Sequence, residues 1–217
     1  MGASAFLEEL DAFKAERLAP IVGAGQISLA GGAPGDADKM LQVALANEIN
    51  VSELAAAWMP GTREMDVKIA LARQAGDEAG HFELVAGRLA ALGFDVAGYQ
   101  PPAGNPLFAY LHGLSATVER IAAGLYTLES IAYAVNENFM AFCEQRGDAE
   151  TVRLYREYIQ PDELRHQQLG RQLLAKYATT PESQQRAKEV VARVLEIASA
   201  VRAQAATRMG TACLPGC

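Results

Sequence analysis

The chain has 217 residues, half of them hydrophobic, a formal net charge of −7 and three cysteines. That length suits one packed domain over 1–217 and is short for two. The acidic balance argues against a nucleic-acid partner, no apolar run approaches the ~20 residues of a bilayer span, and three unevenly spaced cysteines describe no disulfide framework. Alanine and leucine abound and alternating Val/Ile/Thr runs are missing, so an all-α fold is expected. Glu8, Glu9 and Asp11 stand where a secretory signal would carry Lys or Arg, which points to a cytoplasmic protein.

Phe6, Leu7, Leu10, Phe13 and Leu18 predict a short amphipathic helix over 3–18, packed outside the main body. Residues 19–36 are rich in Gly, Ala and Pro and read as a loop; no Gly-Lys-Ser/Thr follows, so it is not a phosphate loop. A helix is expected from Asp36 or Asp38 to Met59, before Pro60-Gly61, with Trp58 packing near its end. The next runs from Thr62 to Leu92 and stops at Gly93. A long connection, 94–104, contains Pro101-Pro102 and reads as a crossover. A third helix pattern begins at Asn105-Pro106, breaks near Gly113 and continues to Gln145. The fourth covers Asp148 or Ala149 to Tyr177, and Pro161 predicts a kink inside it. A C-terminal helix over 182–208 follows Thr180-Pro181. Cys143 reads as a buried hydrophobe. Cys213 and Cys217 read as exposed thiols on a mobile tail, a redox pair being the sharper alternative.

The chemistry concentrates in Asp77-Glu78-x-x-His81 and its echo Asp162-Glu163-x-x-His166. Positions i and i+3 share a helix face, so each Glu and His can address one metal ion. One helix upstream of each pair stands an isolated carboxylate: Glu48 is the lone charge between Lys39 and Glu53, and Glu129 the lone charge between Arg120 and Glu137. A carboxylate in an apolar stretch needs a cationic partner, because burying it alone costs several kcal/mol. Asp77 and Asp162 are placed to accept the other ring N–H of the opposite histidine, pairing Asp77 with His166 and Asp162 with His81. Arg165 is expected at solvent, with neutralisation of these aspartates as the alternative. His112 matches no part of the pattern and reads as a crossover or packing residue. Tyr126 and Tyr133, three before and four after Glu129, are expected near its face; Tyr155 and Tyr158 lie on the fourth helix. Asn136 and Glu137 are candidates for lining a substrate or proton path.

The order Glu, Glu-x-x-His, Glu, Glu-x-x-His, one group per helix, resembles the ferritin-like di-iron carboxylate superfamily over about residues 38–178. The resemblance implies a four-helix bundle with one long crossover, plus extra N- and C-terminal helices. It implies two iron ions, with Mn/Fe as the other pairing, held by Glu48, Glu78, His81, Glu129, Glu163 and His166. It further implies an O2-activating monooxygenase or oxidase of a small organic substrate, fed by an external electron-donor protein; a homodimer is compatible with it. By analogy Glu129 or Glu163 would shift its binding mode, and Tyr126, Tyr133 and Glu137 are the candidates for catalytic roles. The alternatives are an iron oxidation or storage protein and a tRNA-modifying hydroxylase. No Cys-x-x-Cys pair supports a rubrerythrin-like reading.

Overall fold

The computed structural model describes residues 2–32 and 35–216. Among them every regular element is helical: α1 (Ala3–Ala30), α2 (Ala37–Gly61), α3 (Met65–Ala91), α4 (Pro106–His112), α5 (residues 117–145), α6 (residues 149–177) and α7 (Pro181–Met209). Among the described residues no helix is long and apolar enough to cross a membrane. Local chemistry sets several of the starts. The Asn105 side chain accepts from Leu107 N at 2.9 Å, Asp148 Oδ1 from Thr151 N at 3.0 Å, and Thr180 Oγ1 from Ser183 N at 3.2 Å. Pro106 and Pro181 occupy the first helical turn, where their missing N–H costs nothing.

Two long helices contain π-helical turns. In α5 the segment Ala122–Leu128 is π-helical and leads directly into Glu129. In α6 it is Tyr155–Ile159, just ahead of Pro161 and Glu163. Pro161 has no N–H for the preceding turn and its ring crowds the carbonyl four residues back, so the helix widens there. The expected irregularity beside Pro161 is thus a π turn, a feature that recurs at functional sites.

The apolar residues form two cores, one above and one below a polar belt. The first contains Val51, Leu54 and Trp58 of α2, Val67 and Leu71 of α3, Leu125, Leu128 and Ile131 of α5, and Leu173 and Leu174 of α6. The second contains Met40, Leu41 and Leu45 of α2, Val85 and Leu89 of α3, Phe139 and Phe142 of α5, and Val152, Tyr155 and Ile159 of α6. Along the chain, α3 and α5 both run from the first core to the second, whereas α2 and α6 run from the second to the first. The two like-directed helices are consecutive members of the four, and the connection between α3 and α5, which holds α4, is the crossover that allows it.

Two expectations are corrected. The N-terminal helix does not end at residue 18: α1 continues through Pro20 to Ala30, and Phe6, Leu7, Leu10, Ile21 and Gly25 are buried on it. Gly25 is the reason that the glycine-rich half can be helix, since a Cβ there would meet Asn138 Nδ2 at 2.4 Å, and Asn138 donates to the Val22 carbonyl at 2.9 Å. The C-terminal tail is not exposed either. Cys213 is fully buried with its Sγ 3.5 Å from the Gly25 carbonyl, Leu214 joins the second core, and Arg202 donates to the carbonyls of Leu214 (2.5 Å) and Gly216 (2.7 Å). Cys217 lies outside the described residues.

α6 packs tightly on α5 at Gly170, one turn past His166, where an added Cβ would stand 2.6 Å from the Leu125 carbonyl carbon and 2.7 Å from Tyr126 N. Backbone cannot yield as a side chain tip can. Gly170→Ala is therefore expected to cost about 1–3 kcal/mol, whereas Gly87→Ala, with nothing within 4 Å of the new Cβ, should gain about 0.5–1 kcal/mol in helix propensity. Urea denaturation midpoints of the two variants check both signs.

Candidate metal centre

Four helices each bring acidic or imidazole groups to the belt between the cores: α2 carries Glu48, α3 carries Glu78 and His81, α5 carries Glu129, and α6 carries Glu163 and His166. All six are buried, at 4% exposure or less. Their ligand atoms form two overlapping groups, Glu48–Glu78–His81–Glu163 and Glu78–Glu129–Glu163–His166, each with its atoms within 4.8 Å of one another. Glu78 and Glu163 belong to both. The arrangement is that of two neighbouring cation positions with two shared carboxylates and one Glu–His pair at either end.

Individual atoms have the same polarity. Glu78 Oε2 lies 3.3 Å from His81 Nδ1, and Glu78 Oε1 lies 3.4 Å from His166 Nδ1, so one carboxylate presents an oxygen to each imidazole. Glu48 Oε2 is 3.6 Å from His81 Nδ1, and Glu129 Oε2 is 3.5 Å from His166 Nδ1. The far ring nitrogens are held from outside: His166 Nε2 lies 2.9 Å from Asp77 Oδ2, and His81 Nε2 lies 3.3 Å from Asp162 Oδ2. An Nε2 proton held by a carboxylate leaves the Nδ1 lone pair facing the cluster. Arg165 reaches both aspartates, Asp77 Oδ2 at 2.9 Å and Asp162 Oδ1 in a shorter contact, while remaining half exposed.

Burial and close neighbours perturb Glu48, Glu78, His81, Glu163 and His166. Burial itself, opposed by His81 and assisted by Glu78, pushes the Glu48 carboxyl up to about 8. Burial and the adjacent Glu129, Glu78 and Glu48 push Glu163 well above the usual carboxylate range. Burial would raise Glu78 too, but the adjacent His166 and His81 imidazoles outweigh it and hold that carboxyl well below its ordinary value. Burial alone would lower both imidazoles; their acidic neighbours reverse this, raising His81 and His166 to about 11. Protons and cations are thus alternative partners for these groups.

The residues fit a metal pair. Glu78 Oε1, Glu163 Oε2 and His166 Nδ1 are buried and have no hydrogen-bond partner, an expensive state for polar atoms unless something else meets them. Four carboxylates and two imidazoles form a hard, oxygen-rich donor set, suited to iron or manganese and poor in the soft ligands that copper prefers.

The other candidates are placed differently. Tyr126 is buried, but its hydroxyl donates to Asp11 Oδ1 of α1 at 2.5 Å and Lys14 Nζ lies 3.6 Å over its ring. Tyr133 is half-buried, and its carbonyl accepts from Gln160; Glu137 is exposed and accepts from Gln160 Nε2 at 2.8 Å. None of these three makes a hydrogen bond or ion pair with the six clustered groups. Asn136 is buried between α6 and the tail, donating to Gln160 Oε1 at 3.3 Å and accepting from Gly216 N at 2.9 Å. His112 is exposed at the end of α4, and Tyr158 is exposed on α6. The tyrosine that senses the cluster is Tyr155: its buried hydroxyl has no partner, and burial followed by the charges of Glu48, Cys143 and Glu163 raises it well above the ordinary value. Gln74, one turn before Glu78, was not singled out by the sequence; it is buried and its Nε2 donates to Glu129 Oε1 in a short contact. Its signal was an uncharged amide on the apolar face, four residues from a ligand candidate. A cleft of about 640 Å³ between α2, the crossover and α7 is lined by Asn47 and Leu214, but by none of the six groups.

No family model matches the chain, and no curated protein matches it in sequence. Among solved structures it is similar to a domain of unknown function with a heme oxygenase-like fold from Shewanella denitrificans, with a TM-score of 0.68 and 14% identity over 98% of this chain and 97% of that one. The fold is an all-α bundle. At that identity the likeness speaks for architecture alone, and the description attached to it is heme oxygenase-like rather than ferritin-like.

The protons of the cluster give a pH dependence with a definite sign. A group raised in the folded state stabilises the fold below its ordinary value and loses that contribution as pH climbs through the raised one. For Glu48 the window runs from 4.5 to about 8, and for the two imidazoles from 6.5 to about 11. The metal-free protein therefore weakens as pH rises, while a cation, which must displace those protons, binds better. The gain in Tm on adding Mn(II) anaerobically is expected to grow from about pH 6 to about pH 8; melts with and without metal at each pH check it, and a shrinking gain would contradict it.

Proposed function

We propose that this protein is an O2-activating di-iron oxidoreductase, a monooxygenase or oxidase of a small organic substrate, resembling the oxygen-activating branch of the ferritin-like di-iron carboxylates. The observation that carries the reading is the sharing of Glu78 and Glu163 between two four-residue groups, each closed by its own Glu–His pair. Four carboxylates balance two divalent cations, which leaves a neutral centre able to sit between apolar cores. Such an iron pair, when bound, supplies the electrons and open coordination positions for O2 chemistry.

The protein's own contribution is placement. Glu48, Glu78, His81, Glu129, Glu163 and His166 would hold the metal pair, with Glu78 and Glu163 common to both four-residue groups. Asp77 and Asp162 orient the imidazoles through Nε2, and the cores above and below keep water from the cluster. The partners this reading requires are O2, a small organic substrate and an external electron donor. Fe/Fe is the pairing proposed, with Mn/Fe as the variant that the same donors accept.

Anaerobic Fe(II) loading followed by metal analysis tests it. Wild-type protein is expected to hold two irons per chain and to consume O2 on mixing, with a spin-coupled diferric Mössbauer signal. Glu78→Ala removes a shared ligand and should drop uptake below one iron per chain. Unchanged iron content in that variant would overturn the reading, and accumulation of iron far beyond two per chain in a large hollow assembly would replace it with storage.

A further inference from the structure

The two ends of the cluster are not supported alike. At the α5 end, Glu129 presents Oε2 to His166 Nδ1 at 3.5 Å, while its other oxygen, Oε1, accepts from the amide of Gln74. At the α2 end, Glu48 presents Oε2 to His81 Nδ1 at 3.6 Å, and among the described residues no amide reaches it. The position on α6 that corresponds to Gln74, four residues before the Glu of its Glu-x-x-His, is Ile159, which is fully buried and has no donor to offer. The imidazole supports differ in the same sense, Asp77 standing 2.9 Å from His166 Nε2 and Asp162 3.3 Å from His81 Nε2. Gln74 is almost wholly buried, and its own carbonyl oxygen has no partner. Desolvating an amide in order to satisfy only one side of it costs free energy.

We propose that Gln74 is a positioning residue that makes the two metal positions inequivalent. By holding Oε1 it fixes Glu129 so that only Oε2 points at the cluster, which preorganises the Glu129–His166 position to fill first and more tightly. The Glu48–His81 position, with no amide on its carboxylate, fills second. The proposal rests on the di-metal reading above and adds to it an order of loading and a one-oxygen binding mode for Glu129. An outer hydrogen-bond partner of this kind is worth about 10- to 100-fold in metal affinity.

Anaerobic titration with Co(II), followed by its visible d–d absorption and by calorimetry, reads the steps separately from any turnover. Wild-type protein is expected to bind two Co(II) ions in two resolved steps. Gln74→Leu should weaken the first step by about 10- to 100-fold and leave the second within a factor of about three. A merely structural role for Gln74 would weaken both steps together. His166→Ala should remove the tight step and His81→Ala the weak one. Circular-dichroism melts establish that each variant is folded, and Gln74→Met, which keeps the length of the side chain, carries the test should Gln74→Leu not fold. A first step left as tight as in the wild type by both Gln74 substitutions, or loss of the tight step in His81→Ala rather than in His166→Ala, overturns this proposal while leaving the metal centre standing. A wild-type protein that takes up no Co(II) overturns the centre and this proposal with it.

Discussion

The fold is arranged around a layer of ionisable groups that apolar packing cannot satisfy. Glu48, Glu78, His81, Glu129, Glu163 and His166 lie at 4% exposure or less between two hydrophobic cores. Placing so much charge out of water is tolerable only with exact compensation, by protons or by cations. Protons are one source of it, as the imidazoles raised to about 11 and the raised Glu48 and Glu163 carboxyls indicate. Cations would provide it more completely, because they would also meet the unpartnered Glu78 Oε1, Glu163 Oε2 and His166 Nδ1.

Much of this was legible in the sequence because it depends on short-range helix geometry. Glu-x-x-His spacing sets two ligands on one face whatever the tertiary fold. Glu48 and Glu129 stood out as single charges in their stretches, and the Glu129 run is buried on all sides, Ala122 to Ala132 at every position, while the Glu48 run is buried on one face. The helix ends followed from local caps at Asn105, Asp148 and Thr180.

What was not legible depends on departures from the 3.6-residue period or on contacts remote in sequence. Tyr126 was expected on the face of Glu129 by counting three residues back, but the intervening segment Ala122–Leu128 is π-helical. A wider turn changes the angular position of every residue before it, and the Tyr126 hydroxyl meets Asp11 of α1 instead. Composition likewise misread residues 19–30, which are helix, and the tail. Glycine there serves close approach rather than a loop, with Gly25 against Asn138 and Gly216 against Asn47, and the tail is clamped by Arg202, which donates to its carbonyls. Gln74 was invisible because an amide carries no pattern of its own; only the position of Glu129, 55 residues away, gives it a role.

The same distant pairing explains how one exposed side chain can matter to a buried centre. Arg165 belongs to the second Glu-x-x-His turn but spans both aspartates, and each aspartate accepts from the imidazole of the opposite helix. A guanidinium is a planar fork that stays charged at any working pH, so it ties the two aspartates together and keeps them aimed at Nε2. Isolated surface ion pairs are worth little. This one acts through two histidines at 3% side-chain exposure, where the orientation of Nδ1 decides whether the carboxylate belt faces a ligand or a blocked ring. The surface charge thereby couples the two halves of the bundle, α3 and α6, at the level where their ligands meet.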